Sequence, residues 1–291
     1  DILIKPKVVF LKRNYNFAGY MNKEQKMKKI TGLFVAMLLL LSSCGSVPLT
    51  GRKQVLLVSD QEVLSSSLTQ YSDYMKSAKK SSSKDGAAMV TRVGKKIAAA
   101  TEQYLRNNGL ESEIKNFAWE FNLVNDPQVN AFCMPGGKIV VYEGLMQLVS
   151  SDDELAVVVG HEVAHAVAKH SNERMSQQLM AQYGAQILGQ ALSNKSAAVQ
   201  KIGASVYGLG AQYGVMLPFS RKHESEADYM GLVFMAMAGY NPAVAVNFWQ
   251  KMSAGKSGST PEFMSTHPSD ATRINEIKQH LPEIEKYRVK K

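Results

Sequence analysis

Between Asp152 and His170 the chain is apolar on nearly every side, with Leu155, Ala156, Val158, Val159, Val163 and Val167 filling successive turns. A run of this length and composition predicts a buried helix. Ser151, followed by Glu154, predicts a capping box at its start. Yet the middle of the run reads Gly160-His161-Glu162-Val163-Ala164-His165, with two histidines and a carboxylate where Leu or Ala would be expected. Any fold must bury this helix and give those three polar side chains a partner.

Spacing suggests the partner. Residues four apart lie one turn above each other, so His161 and His165 face the same way. Two imidazole nitrogens so placed can both reach one tetrahedral Zn²⁺. Glu162 projects roughly a quarter-turn away, poorly placed to share the metal but well placed to take a proton from a water there. The plain alternative is a pair of core histidines beside a solvated Glu. The complete H-E-x-x-H motif on a buried helix favours a site for one Zn²⁺ per chain.

The 291 residues carry a formal charge of +9. Residues 1–43 hold eight Lys/Arg against two acids, which leaves 26 against 23 for the rest. The basic balance therefore belongs mainly to the leader, and a nucleic-acid role loses its support. In that leader Met27-Lys28-Lys29 forms a short positive start, and Ile30 to Leu41 is an apolar run of twelve residues. Twelve suit the middle of an export signal and are too few to span a bilayer. The run closes on Leu41-Ser42-Ser43-Cys44, which resembles the bacterial lipobox and implies acylation of Cys44. The expected organisation is residues 1–26 upstream of the true start, 27–43 a lipoprotein signal peptide, 44–58 a lipid-anchored tether and 59–291 one domain. With Cys44 acylated, Cys133 has no partner for an intramolecular disulfide and reads as a packed or strand-face residue.

Along the domain, Ser59 and Glu62 predict a second capping box, starting a helix to about Ala78. A further helix is expected from Ala87 to Arg106, stopped by Asn107-Asn108-Gly109. Three short strands follow, Phe117 to Val124, Gln128 to Met134 and Lys138 to Tyr142, the last two joined by Pro135-Gly136-Gly137. Beyond the histidine-bearing helix, Asn172 to Tyr213 reads as helical but interrupted by glycines. Helices are expected from Ser220 to Ala238, after Asn241-Pro242 to Met252, and from Asp270 to His280, with Gly255 to Thr260 a loop. The fold class is α+β, a mainly helical domain with a small sheet beside the histidine-bearing helix.

Catalytic zinc usually takes three protein ligands. A third histidine ten residues after the first is ruled out, since that position is Ser171. His170, five residues past His165, lies about 140° round a continuous helix and is expected to support or decorate the site rather than complete it. Glu224 and Asp228 share a face of a later helix, with Glu226 pointing nearly opposite. From spacing alone, Glu224 either ligates, with Asp228 fixing a ligand histidine, or decorates a solvated face.

Several separate stretches now add up. Thr50-Gly51-Arg52-Lys53-Gln54, Asn130-Ala131-Phe132 with Pro135-Gly136-Gly137, Gly160 to His165, the Ser220-Arg221 to Asp228 block, and Thr266-His267-Pro268 with Arg273 together resemble the gluzincin metallopeptidases of the HtpX/BepA/Oma type, related to the CAAX prenyl proteases. The resemblance implies a zincin-like fold, with His161, His165 and Glu224 as zinc ligands, Glu162 as general base and Asp228 behind a ligand. It also implies that Asn130, Ala131, Phe132, Gly136 and Gly137 belong to an edge strand and turn on which an extended polypeptide pairs. His267 would stabilise an oxyanion or gate the open position, and Arg273 would position that segment. Cys133 and Met134 depart from the pattern within the strand.

The function so implied is a zinc-dependent endopeptidase of the bacterial cell envelope, acting on misfolded or misassembled proteins. Its expected partners are extended polypeptides, envelope assembly factors and, through the lipid, a membrane. Gly45 and Ser46 supply no acidic retention residue, which places the expected anchor in the outer membrane, facing the periplasm. A rival from another class is a chaperone-like lipoprotein holding unfolded chains around a structural zinc. A third reading is a latent peptidase whose cleft is plugged by its own chain.

Overall fold

The computed structural model describes residues 44–191, 220–254, 262–267 and 271–289. The expected leader (1–43), the later part of the glycine-interrupted helical region and the 255–260 loop lie outside the described residues.

The stretch expected as a tether is built into the domain. Strands β1 (Cys44–Ser46) and β2 (Lys53–Val55) pair antiparallel. Val47, Gln54 and Val58 around them are buried. The Leu57 amide donates to Ser176 Oγ, and Asn172 Nδ2 donates to the Val58 carbonyl. Helix α1 (Asp60–Ser77) then begins with the full Ser59/Glu62 capping box, and α2 (Lys84–Asn107) follows, capped by Ser83. A short turn of helix, α3 (Glu111–Ile114), leads into the sheet.

Strands β3 (Glu120–Val124), β4 (Ala131–Met134) and β5 (Lys138–Tyr142) form a sheet of order β3-β5-β4. β5 runs parallel to β3 and antiparallel to β4. All five residues of β5 are buried, as a central strand covered on both faces requires. β4 is therefore an edge strand. The turn that connects it to β5 depends on Gly136 and Gly137, whose φ values of +92° and +78° lie where side chains with a Cβ are strained.

After the short α4 (Glu143–Met146), helix α5 (Asp152–Val167) carries the H-E-x-x-H motif. Ser151 accepts the Glu154 amide, but the Glu154 carboxylate takes the Ser150 amide rather than that of Ser151, so the capping box is half formed. Leu155, Ala156, Val158, Val159, Val163 and Ala164 are fully buried between α2, β4 and the later helices. α5 stops earlier than its composition suggests. Lys169 takes a left-handed φ of +56°, and its ammonium pairs with Asp60 and Glu113. This re-aims the chain, so that His170 opens a new helix, α6 (His170–Ala191).

Helix α7 (Arg221–Met237) is capped by Ser220 and crosses α5. It ends before Gly239, whose φ is +84°. α8 (Val244–Ala254) begins two residues beyond Pro242, because the Asn241 side chain caps the intervening turn through the Ala243 amide. α9 (Glu262–Thr266) delivers His267, and α10 (Ala271–Ile284) passes through Pro282 into a 3-10 turn (Glu285–Tyr287). Pro282 removes one rung of the ladder close to the helix end, where the loss is small enough to tolerate. The result is the expected mainly helical α+β arrangement, with the sheet edge beside α5.

Candidate active site

Four donors from three elements converge below the sheet edge. His161 Nε2 and His165 Nε2, one turn apart on α5, are 3.0 Å from each other. Glu224, in the first turn of α7, places its two carboxylate oxygens 3.3 Å from His161 Nε2 and 3.3 Å from His165 Nε2. His267 Nδ1 lies 3.1 Å from Glu224 Oε1 and 3.3 Å from His161 Nε2. The convergence depends on how closely the two helices cross. Gly160, beside His161, meets Gly231, and a Cβ on either would run into the backbone of the other.

This donor set fits a metal ion. One ligand atom from each of His161, His165, Glu224 and His267 lies within 4.8 Å of all the others, and all four residues are buried. Imidazole and carboxylate donors at this spacing suit zinc. Glu162 supports the same reading, since its Oε1 is buried and accepts no hydrogen bond, with His267 Nε2 3.4 Å away. Buried polar atoms without partners are rare in folded proteins, and one pointing at a cluster of donors marks a place for water or an ion.

The groups behind the ligands set their protons. His161 Nδ1 donates to Asp228 Oδ1 at 2.9 Å, which turns Nε2 toward the cluster, where it can hold a metal once its proton is lost. Arg273 holds Asp228 through both of its oxygens, reaches Glu224 Oε2 at 2.8 Å and contacts the His267 carbonyl at 3.5 Å. Its guanidinium lies over the Trp249 ring. Burial alone would lower the His161 pKa, but the Asp228 and Glu224 carboxylates outweigh it and raise it to about 9. Burial pushes His165 well below the usual range and Glu162 above it. Burial would also raise Glu224, but the surrounding histidines hold it well below the usual carboxylate range.

The edge strand faces the same centre. The Asn130 carbonyl accepts from Tyr142, so by alternation along the ladder Phe132 also pairs inward, while Ala131 and Cys133 turn their amides away from β5. The Cys133 amide donates to Glu162 Oε2 at 3.0 Å, and the Ala131 amide donates to the Asn130 side chain. The Phe132 ring packs with Tyr74 and Tyr142 on the far face of the sheet, so this residue holds the strand rather than lining the cleft. Gly136 lines a pocket that reaches His165, with Leu64, Phe117, Pro135 and Ala166 among its walls. Gly137 packs against Trp119. The side chain of Cys44 is outside the described residues. The thiol of half-buried Cys133 donates to the Met134 carbonyl, and burial, with the nearby Glu162 charge, raises its pKa well above the ordinary value.

A group of residues that spacing had not assigned stands behind His165. With α5 broken at Lys169, His170 comes back under the site and its Nδ1 lies 2.9 Å from His165 Nδ1. His170 Nε2 is 2.9 Å from Glu226 Oε2. Glu226 does point opposite to Glu224, but into the protein, where Thr50 and Arg52 donate to it. Arg52 also makes a two-bond pair with Glu173, which His223 Nε2 approaches at 3.1 Å. The Thr50 to Gln54 stretch had carried a resemblance without a role.

Sequence comparison bears on the whole arrangement. A profile described as "Peptidase family M48" matches residues 91–281. The chain is similar to "Mitochondrial metalloendopeptidase OMA1" of Schizosaccharomyces pombe, 36% identical over 205 residues that cover 67% of this chain and 53% of that one. The protein of the same name from Arabidopsis thaliana is 40% identical over 168 residues, 58% of this chain and 33% of its own length. "Beta-barrel assembly-enhancing protease" of Yersinia pestis is 33% identical over 174 residues, 56% of this chain and 36% of that one. The chain thus spans about half or less of the length of these relatives. Among the described residues, no helix is long and apolar enough to cross a membrane.

Proposed function

The chain belongs to peptidase family M48, and from that premise we propose that it is a zinc-dependent endopeptidase in which His161, His165 and Glu224 hold the metal and Glu162 is the general base. The observation that carries this reading is the meeting of those three donors beside a buried carboxylate, one oxygen of which accepts no hydrogen bond. A zinc ion held there supplies Lewis acidity to the water and the scissile carbonyl that meet at the site.

The chain's own residues supply the rest. Glu162 Oε1 takes a proton from the attacking water and returns it to the leaving amine. Burial raises its pKa toward working pH, which makes it a better base. The outward edge of β4 at Ala131 and Cys133, whose amides now donate to Asn130 and Glu162, binds an extended polypeptide as an added strand once those two bonds are exchanged for bonds to the substrate. Asp228 and Arg273 keep His161 and Glu224 aimed at the metal.

His267 favours a refinement. Its Nδ1 stands among the other donors, so the described conformation is a closed, four-donor arrangement. A closed site suits either a structural zinc or a resting peptidase whose fourth position is occupied by its own side chain. Glu162 favours the second, because its Oε1 accepts no hydrogen bond and a structural site has no use for a base. His267 is then a gate that must swing aside.

The proposed setting is the bacterial cell envelope, with the chain lipid-anchored through Cys44 to the outer membrane and facing the periplasm. The export-signal pattern before Cys44 supports it. The relatives named above are two with mitochondrial names and one bacterial protein, whose name refers to β-barrel assembly. Misfolded or misassembled polypeptides are the proposed substrates, and envelope assembly factors the proposed partners.

The deciding experiment measures bound zinc and casein cleavage for the wild type and Glu162→Gln. The variant is expected to keep zinc and to lose about 10²–10⁴-fold in rate. Undiminished cleavage by Glu162→Gln would remove Glu162 from this role, and cellular function restored by a Glu162→Gln chain would favour the chaperone-like alternative.

A further inference from the structure

His165 offers Nε2 to the donor cluster, so its remaining proton sits on Nδ1. That nitrogen is 2.9 Å from His170 Nδ1. Two ring nitrogens at this distance need one donor and one acceptor, so His170 Nδ1 accepts and its own proton sits on Nε2. Nε2 is 2.9 Å from Glu226 Oε2, an acceptor with no proton of its own to offer. The carboxylate is then fixed from outside, by Arg52 Nε on Oε2 at 2.7 Å and by the Thr50 hydroxyl on Oε1. Arg52 is itself held by Glu173. His170 stacks on His223 with ring centroids 4.5 Å apart, which fixes the plane of its ring.

His161 and His165 are thus supported in parallel ways. Behind His161 stands a carboxylate held by an arginine, Asp228 with Arg273. Behind His165 stands a second carboxylate held by a second arginine, Glu226 with Arg52, and His170 bridges the gap between them.

We propose that His170 and Glu226 are positioning residues for His165, and that Thr50 and Arg52 make the hairpin after Cys44 part of the frame that holds the metal. The proposal rests on the zinc reading above and extends it to residues that do not touch the metal. A purely structural role would show as lost stability with no dependence on hydrogen-bonding capacity. A positioning role shows in metal affinity, and it returns with an acceptor placed where His170 Nδ1 stands. Asn supplies one, because its side-chain carbonyl oxygen occupies nearly that point, whereas Leu does not.

The test is zinc competition against a chromophoric chelator for the wild type, His170→Leu, His170→Asn and Glu226→Gln, with visible spectra of the cobalt-substituted forms and unfolding of the metal-free forms. His170→Leu and Glu226→Gln are expected to bind zinc about 10–100-fold more weakly and to shift the cobalt bands. His170→Asn is expected to lie between His170→Leu and the wild type, since it restores the acceptor for His165 but not the bond to Glu226. Tight zinc binding by the wild type with equal affinity in His170→Leu would overturn the relay alone. Equal losses in Leu and Asn would also overturn it, leaving a packing role. Should His170→Leu fail to fold, Glu226→Gln with reduced affinity still supports the proposal, and an unaltered Glu226→Gln overturns it. A wild-type chain that binds no zinc would sink the metal reading itself, and the relay with it.

Discussion

Gly160 and Gly231 touch backbone to backbone where the histidine-bearing helix α5 crosses α7. A Cβ on Gly160 would sit 2.8 Å from the Gly231 carbonyl oxygen, and one on Gly231 would sit 2.7 Å from the Gly160 carbonyl carbon. Neither obstacle is a side chain that can turn away. Since Glu224 rides on α7 and His161 follows Gly160, this contact sets the distance between the two proposed ligands. Gly160→Ala and Gly231→Ala are each expected to destabilise the fold by about 1–3 kcal/mol through overpacking. Each is also expected to weaken zinc binding. Denaturant unfolding together with chelator competition checks both, and a variant with unchanged zinc affinity would show that the helices can separate without disturbing the ligands.

If His267 gates the fourth position, its removal opens the site. His267→Ala is expected to keep zinc on His161, His165 and Glu224 and to cleave an unfolded substrate faster than the wild type. Slower cleavage with zinc retained would instead favour the oxyanion role. Loss of zinc would mean that His267 is a required ligand and the site a structural one.

Arg273 serves three groups at once, Asp228, Glu224 and the His267 carbonyl. A lysine has one charged nitrogen and cannot reproduce the planar fork. Arg273→Lys is therefore expected to lower zinc affinity about 10–100-fold even though the charge is kept. Titration with a chelator reads this directly, and wild-type affinity in the lysine variant would show that charge alone suffices.

Acid should weaken the metal-free fold from two sides. Burial pushes His170 down to about 4 from 6.5, against the pull of Glu226. Burial would raise Glu173, but the His223 and Arg52 donors hold it down to about 2 from 4.5. In both cases the unfolded chain binds the proton at a higher pH than the folded one, so stability increases with pH across each window. His170's share is complete above about 6.5 and lost as pH falls through 4, and Glu173's is complete above about 4.5 and lost as pH falls through 2. Urea midpoints measured from pH 7 downward should fall across the first window. Arg52→Ala should flatten the second, since Glu173 loses a donor. A midpoint that is flat from pH 7 to 4 would remove His170 from this account.

The parts of the molecule legible in sequence are those set by local spacing. Four-residue steps brought His161 and His165 to one face and put Glu224 and Asp228 on another, and the glycines after Pro135 marked a turn. Helix geometry rightly left His170 out of the ligand set but could not place it, because Lys169 breaks the helix with a left-handed residue and brings His170 in behind His165. Glu226 was read correctly as pointing away from Glu224. What spacing could not show is that the opposite face is also interior and that Arg52, 174 residues earlier, is waiting there. The order of the strands was equally hidden, since pairing β3 with β5 skips the strand between them in sequence.

The hydrogen bond from the Cys133 amide to Glu162 gives the edge strand a second job. At rest, the carboxylate occupies a rung that a docking peptide would need. If a polypeptide pairs with β4 as proposed, its carbonyl would displace Glu162 from that amide, and seating the cargo and arming the base would become one event.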